Sequence, residues 1–406
     1  MTHDQFNKVI QDHNLPKNFC VLPFLGLECK TTGEASACCV QQEVATNDSG
    51  KPYNFADNTI TEIFDSNWIK NLRNDFLDNQ QVKSCYNCWD EERAGLVSKR
   101  MRELIRFQDN VDTVITEPKI KYLDLKFGNI CNLKCRICTS FASSKWAEEE
   151  EKLELAPPGH GDRMIKMGKW PKENDNFWSD LYEVSNDVEV LELFGGEPMV
   201  LKEHALYLKQ IVDSGTAGNK VISYNTNGTQ DMSRFYEQWK HFKKVQVFFS
   251  IDGIGKRFTY LRHPADWDTV NNNIKHLLES DIKNLEVSFF CSVSAFNIWY
   301  LEEVADWAKQ YPTSKLHWNM VYVPHHYSAK CLPKKAKAIV RANLSNSKYS
   351  TDFANIIKYI EDVDEDQTMY FIQFRDWLKK IDESRNESFV DTFPEYAEAL
   401  NEFIRK

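Results

Sequence analysis

Three cysteines, Cys131, Cys135 and Cys138, follow a C-x-x-x-C-x-x-C spacing directly after an alternating apolar stretch at residues 120–127. Such alternation predicts a strand, so the thiols arrive in a loop at its C-terminal end. The spacing lets one short loop fold three sulfurs around a single iron–sulfur cube, with Gly128 supplying backbone freedom at the entry. A zinc ion uses the same ligand type, so spacing alone leaves both metals open. Three thiolates on four irons would leave one iron without a protein ligand, the open position that chemistry needs.

The elements that must position this loop alternate between two periodicities. Strand patterns fall at 120–127, 188–194, 221–225, 245–251, 285–293 and 316–321. Helical patterns lie between them, for example at 267–279 and 298–309. Strands alternating with helices predict parallel strands joined by right-handed crossovers, hence an α/β fold with a partial (β/α)6 barrel. A polar insert at 148–187, carrying Pro157-Pro158-Gly159, is expected as a lid or surface excursion.

Polar signatures recur where the strands end. Cys131, Cys135 and Cys138 follow the first, Gly195-Gly196-Glu197-Pro198 the second, Asn225-Thr226-Asn227-Gly228 the third, and Ser250-Ile251-Asp252-Gly253 the fourth. A β/α barrel builds its catalytic face from C-terminal strand ends, so all four are expected to line one mouth. Two glycines let a backbone approach a ligand closely, and the carboxylate beside them suits an ammonium. Asn-Gly and Asp-Gly pairs are also ordinary turn formers, and Arg262 serves equally in a surface ion pair.

Size and charge bound the rest. The 406 residues, 42% hydrophobic, hold one large domain with one or two smaller ones. A formal charge of −10 argues against bulk, backbone-driven nucleic-acid binding. No apolar run approaches the roughly 20 residues of a membrane span, and the N-terminus lacks a signal-peptide layout. The eleven cysteines are therefore expected as metal ligands and thiols in a cytoplasmic protein rather than as disulfides. Three stretches are expected: an N-terminal module at 1–118, the barrel at 119–327 and a helical, charged C-terminal extension at 328–406.

The thiol loop and the Gly-Gly-Glu-Pro turn one strand later resemble the radical S-adenosylmethionine (radical SAM) superfamily, over roughly half the chain. The resemblance implies that Cys131, Cys135 and Cys138 hold a 4Fe–4S cluster. It also implies that Gly195, Gly196, Glu197 and Pro198 receive the methionine amino group of S-adenosylmethionine. Relatives commonly carry an aromatic just before the third cysteine, against the adenine; here Ile137 makes that contact apolar packing. Thr226 and Asn227 resemble the ribose-contacting segment. Ser250, Asp252 and Arg262, with Asn297, resemble positions that reach the cofactor's hydroxyls or carboxylate.

A second cysteine set precedes the barrel. Cys20 opens a strand-like stretch, residues 31–34 read as a hairpin turn, and Cys38-Cys39 sits on the return. An amphipathic helix at 61–77 leads to Cys85-Tyr86-Asn87-Cys88. The pattern Cys20, Gly33, Cys38, Cys85, Cys88 resembles the Twitch half of the SPASM domain, which implies an auxiliary 4Fe–4S cluster. That domain follows the barrel in most relatives; here it would be N-terminal. Adjacent strand residues point to opposite faces, so Cys38 is expected as the ligand, with Cys39 in reserve and Cys29 as a buried thiol. Four of these thiols would equally satisfy a zinc ion.

The resemblance implies an enzyme that cleaves S-adenosylmethionine reductively to a 5′-deoxyadenosyl radical and abstracts hydrogen from a peptide, protein or small molecule. The auxiliary cluster would assist, and a low-potential donor such as flavodoxin or ferredoxin would supply electrons. Two rivals stand beside this reading: the same cleavage used for epimerisation or rearrangement without net oxidation, and a non-catalytic iron–sulfur electron carrier. Near the end of the sixth strand His325, His326 and Tyr327 could reach a substrate, although two exposed histidines in a loop more often have no special role. The extension through Phe374 and Phe393 would cap the barrel or pack beside it.

Overall fold

The turn at Gly33 closes a hairpin whose first strand does double duty. In the computed structural model, which describes residues 1–93, 95–361 and 367–400, β1 (Gly26–Cys29) pairs antiparallel with β2 (Ala35–Ser36). Gly33 takes φ +85°, a conformation that only glycine adopts without strain. On its other edge β1 pairs parallel with β3 (Tyr122–Lys126), placing Glu28 opposite Asp124. Strands β4 (Val190–Phe194) and β5 (Val221–Thr226) continue the parallel ladder, in the order β2-β1-β3-β4-β5.

These strands belong to the first of two compact units, residues 1–130, 165–224 and 237–245, which takes β5 as far as Tyr224. One face carries an unexpected polar row. Glu28, Asp124, Glu192 and Ser223 sit in register on four neighbouring strands. Buried carboxylates are tolerated only when paired. Lys126 Nζ lies 2.5 Å from Glu28 and 3.1 Å from Asp124, and Lys99 Nζ 3.8 Å from Asp124 and 3.5 Å from Glu192.

The amphipathic stretch expected as one helix forms two, Ile60–Phe64 and Asn67–Leu77. Ser66 interrupts it, its hydroxyl accepting from Ile69 N at 3.3 Å as the N-cap of the second helix. Ile63, Phe64, Ile69, Leu72 and Phe76 are buried across the two, while Trp68, expected on the apolar face, is only half-buried.

The second unit comprises residues 131–164, 225–236 and 246–406. Its strands are the greater part of β6 (Lys244–Ser250), then β7 (Leu285–Val293) and β8 (Lys315–Met320), neighbours in that order. β7 and β8 run parallel with Phe289 opposite Leu316. Helix Trp267–Leu278 is capped by Asp266, which accepts from Thr269 N at 2.9 Å, and buries Val270, Ile274 and Leu277. The polar insert is helical in large part, through Ser144–Lys152, His160–Gly168 and Asp175–Val184. The extension forms helices Lys334–Asn346, Ala354–Glu361 and Thr368–Arg385 and two short turns of helix beyond. Among the described residues no helix is long and apolar enough to cross a membrane.

Candidate active site

In the first unit the diglycine turn is moulded onto the chain that leaves β3. Gly196 N donates to Gly128 O at 3.0 Å, and Glu197 N to Ile130 O at 2.9 Å. A Cβ on Gly196 would strike the Ile130 carbonyl oxygen, and one on Gly195 (φ +123°) would lie 2.8 Å from Phe127 N. Only glycine lets the two backbones approach this closely. Gly128 is equally constrained, at φ +71° with the Gly168 carbonyl where a side chain would go. Glu197 is buried and its carboxylate accepts from Met199 N at 3.2 Å, capping the turn that begins at buried Pro198. The residue after Ile130 is Cys131.

In the second unit Cys131, Cys135 and Cys138 are partly exposed on one short loop. The loop is fastened to the segment after β6: Lys134 N donates to His263 O at 2.8 Å and Arg136 N to Leu261 O at 2.7 Å. The end of β5 meets it as well. Asn227 Nδ2 donates to Asn132 Oδ1 at 2.9 Å and reaches Cys131 Sγ at 4.0 Å. Thr226 Oγ1 is spent on its own turn, accepting from Gly228 N at 3.1 Å.

Arg262 and Asp252 join the strand end of β6 to the thiols. Asp252 Oδ2 lies 2.7 Å from Arg262 Nη2, and Asp252 Oδ1 accepts from Ser292 N at 2.8 Å. Asn297 holds the same corner, donating to the carbonyl of Asp252 at 2.8 Å. Arg262 Nη1 donates to Cys135 Sγ at 3.8 Å. Burial is the largest influence on Cys135 and pushes its thiol up; Arg262 opposes it, Asp252 adds to it and Arg385 opposes it. Cys138 is raised by burial and then by the neighbouring Cys135 and Cys131. Ser250 and Ile137 are half-buried beside these residues in sequence.

The donor set fits an anionic group bound at this loop. Buried donors without acceptors cost about 1–3 kcal/mol each. Arg262 Nε, Arg136 Nη1, Arg385 Nη1 and the Tyr327 hydroxyl are all buried without a hydrogen-bond partner. An iron–sulfur cluster ligated by thiolates and the carboxylate of an amino acid both supply acceptors.

Sequence periodicity gave no sign of Arg136, Arg385 or Tyr327 in this role. His326 and Tyr327 also differ from the expected exposed loop. His326 is buried against Tyr327 and Trp377, with ring centroids 4.1 and 4.4 Å away, and burial pushes its imidazole down to about 4. His325 alone is exposed there.

The second cysteine set gathers within the first unit. The Cys38 return is tied to the Cys85 turn through Gln42 N on Ser84 O at 3.0 Å and Asn87 Nδ2 on Val40 O at 3.0 Å. Burial raises Cys20 most, followed by Cys85 and Cys88; burial, Cys38 and Cys88 raise Cys85; burial, Cys39 and Cys20 raise Cys38. The sulfurs are thus close enough to feel one another. Cys88 is raised by burial against the backbone N–H of Arg100. Cys38 is buried and Cys39 exposed, in a bend and turn beyond β2 rather than on the return strand expected for them. Cys29 is buried beside Lys126, Glu28 and Asp124, away from this set. Among the described residues no three His, Cys, Asp or Glu side chains converge as tightly as ligands of one metal ion.

Residues 125–308, just under half the chain, match the family model described as the radical SAM superfamily. A curated relative, the radical SAM cyclopropyl synthase TigE of Paramaledivibacter caminithermalis, is 22% identical over 278 residues, 64% of this chain. The chain covers 56% of that relative's length. Among solved structures, native anSMEcpe with bound AdoMet is 20% identical with a TM-score of 0.40, over 58% of this chain and 61% of that one. Streptococcus suis SuiB bound to its precursor peptide SuiA is 12% identical with a TM-score of 0.34, over 75% of this chain and 63% of that one. Such low scores carry no argument about the site. The family model and the curated relative together support placing this chain with the radical SAM superfamily.

Proposed function

We propose that the chain is a radical SAM enzyme whose 4Fe–4S cluster is held by Cys131, Cys135 and Cys138 and whose cofactor is S-adenosylmethionine. The observation that carries this reading is Arg262, paired with Asp252 at 2.7 Å and donating to the Cys135 sulfur at 3.8 Å. It gives the thiol loop a fixed cation at the strand end where the cofactor's carboxylate and hydroxyls would be read. Cluster and cofactor, when bound, would supply one-electron cleavage to a 5′-deoxyadenosyl radical that takes a hydrogen atom from the substrate.

The chain's own residues then bind and orient. Gly195 and Gly196 present backbone at close range, and Glu197 and Pro198 shape the turn that would receive the methionine ammonium. Ile137 would pack on the adenine, while Thr226, Asn227, Ser250 and Asp252 would line the ribose side.

Cys20, Cys38, Cys85 and Cys88 would hold an auxiliary 4Fe–4S cluster in a Twitch-like module at 1–118, with a partial (β/α)6 barrel at 119–327 and the extension at 328–406. The mutual influence of these four thiols supports it. A peptide, protein or small molecule is the proposed substrate, and a low-potential flavodoxin or ferredoxin the proposed donor. Anaerobically reconstituted protein given dithionite and S-adenosylmethionine is expected to release 5′-deoxyadenosine. Equal release from Cys135→Ala would remove the assignment.

A further inference from the structure

The thiol loop is gripped from one side by a helix more than two hundred residues away in sequence. Arg136, inside the loop and fully buried, lies 2.5 Å from both Asp382 and Glu387. Its guanidinium also stacks over the Tyr260 ring, 3.6 Å from the centroid, and the Tyr260 hydroxyl donates to Asp382 at 2.8 Å. His263 shares the second carboxylate, its Nδ1 2.6 Å from Glu387. The next contact runs the other way. Arg385, the last residue of helix Thr368–Arg385, donates to the Lys134 carbonyl at 2.9 Å and pairs with buried Glu149. Arg385 also covers Trp146, whose indole N–H donates to the carbonyl of Cys135.

Lys134, Cys135 and Arg136, three consecutive residues, are thus each held directly or through one side chain by the extension. The Arg385–Glu149 pair is bidentate and a single Arg136 nitrogen bridges two carboxylates; ion pairs at this degree of burial fix geometry more than they add stability. The charge matters too: the Arg385 guanidinium lies over Trp146, whose indole meets the Cys135 carbonyl, so it stands one side chain from the thiol loop. Arg136 and Arg385 each keep one buried N–H without an acceptor.

We propose that helix Thr368–Arg385 is a clamp on the cluster loop, with Arg136 and Arg385 as positioning residues that fix the loop before the cluster binds, and with Arg385 holding a positive charge beside it afterwards. The first half stands on the chain alone; the second rests on the cluster assignment proposed above. A positive charge beside the cluster favours its more negative, reduced form, so losing the charge lowers the reduction potential.

The test uses the full chain in two states. In metal-free protein, hydrogen exchange of the amides at 131–138 is expected to speed up about tenfold or more in Arg385→Gln and in Asp382→Asn/Glu387→Gln, while strands β7 and β8 stay within about twofold of the parent. Glu149→Gln, which breaks the same pair from its other end, gives the reading should Arg385→Gln not fold. In cluster-loaded protein, the potential from an EPR-monitored titration is expected to fall in Arg385→Gln and to hold in Arg385→Lys, which keeps the charge but loses the fork. Loop exchange unchanged in these variants, or rising together with β7 and β8, overturns the clamp. A parent that assembles no cluster at this loop, yet shows the exchange pattern, overturns the cluster assignment and leaves the clamp standing.

Discussion

Arg262 Nη1 points at the sulfur of Cys135, 3.8 Å away, while its Nη2 is held 2.7 Å from Asp252. One buried side chain thereby ties the turn after β6 to the thiol loop, and a carboxylate that would be costly to bury alone is neutralised.

Removing one partner is therefore expected to cost more than removing both. Arg262→Met leaves Asp252 buried and unpaired, a loss of about 3 kcal/mol in urea unfolding; Arg262→Met/Asp252→Asn should recover more than half of it. Equal losses in the single and double variants would show that the pair is not coupled.

Gly196→Ala introduces a Cβ into the Ile130 carbonyl oxygen. Backbone must move next to Cys131, at roughly 1–3 kcal/mol by analogy with overpacked cores. Iron content after anaerobic reconstitution is expected to fall with it, whereas Gly218→Ala, whose nearest neighbour is 3.9 Å away, should leave both unchanged.

His326 makes stability depend on pH in a defined window. Burial is the main cause that holds its imidazole down to about 4, against 6.5 in the unfolded chain, with His325 adding to it. The folded state therefore binds fewer protons, and stability present above about pH 6.5 is lost as pH falls toward 4, at most about 2–3 kcal/mol. In His326→Phe the fall in melting temperature between pH 7 and pH 5 should shrink by at least half.

The auxiliary site distinguishes neighbours in sequence. Cys38 is buried, raised by burial and then by Cys39 and Cys20, and itself acts on Cys85, while Cys39 is exposed. Iron per chain is expected to drop from about eight to about four in Cys38→Ala and to stay near eight in Cys39→Ala. The reverse result would exchange their roles.

Much of this arrangement was legible because period-two alternation is a strong local signal. The strand expected at 285–293 is Leu285–Val293, and the other five expected strands begin or end within two residues of those observed. Cys131 and Gly196 were legible for a different reason: ligand spacing and glycine pairs are rare enough to stand out. What stayed hidden depends on long-range pairing. β1 joins β3 in parallel although about ninety residues intervene, and no local pattern announces that. Arg136 reads as an ordinary loop arginine until Asp382 and Glu387 arrive from the far end of the chain. The break at Ser66 is hidden in the sequence because buried apolar residues continue through both helices, so the apolar period masks the cap.

The proposed cluster at the 131–138 loop has one iron that no protein side chain occupies. EPR of the reduced protein with Cys20, Cys38, Cys85 and Cys88 replaced by alanine isolates that cluster. Adding S-adenosylmethionine is predicted to shift its spectrum, because the cofactor ligates the open iron; a spectrum that does not change on saturation would contradict the account.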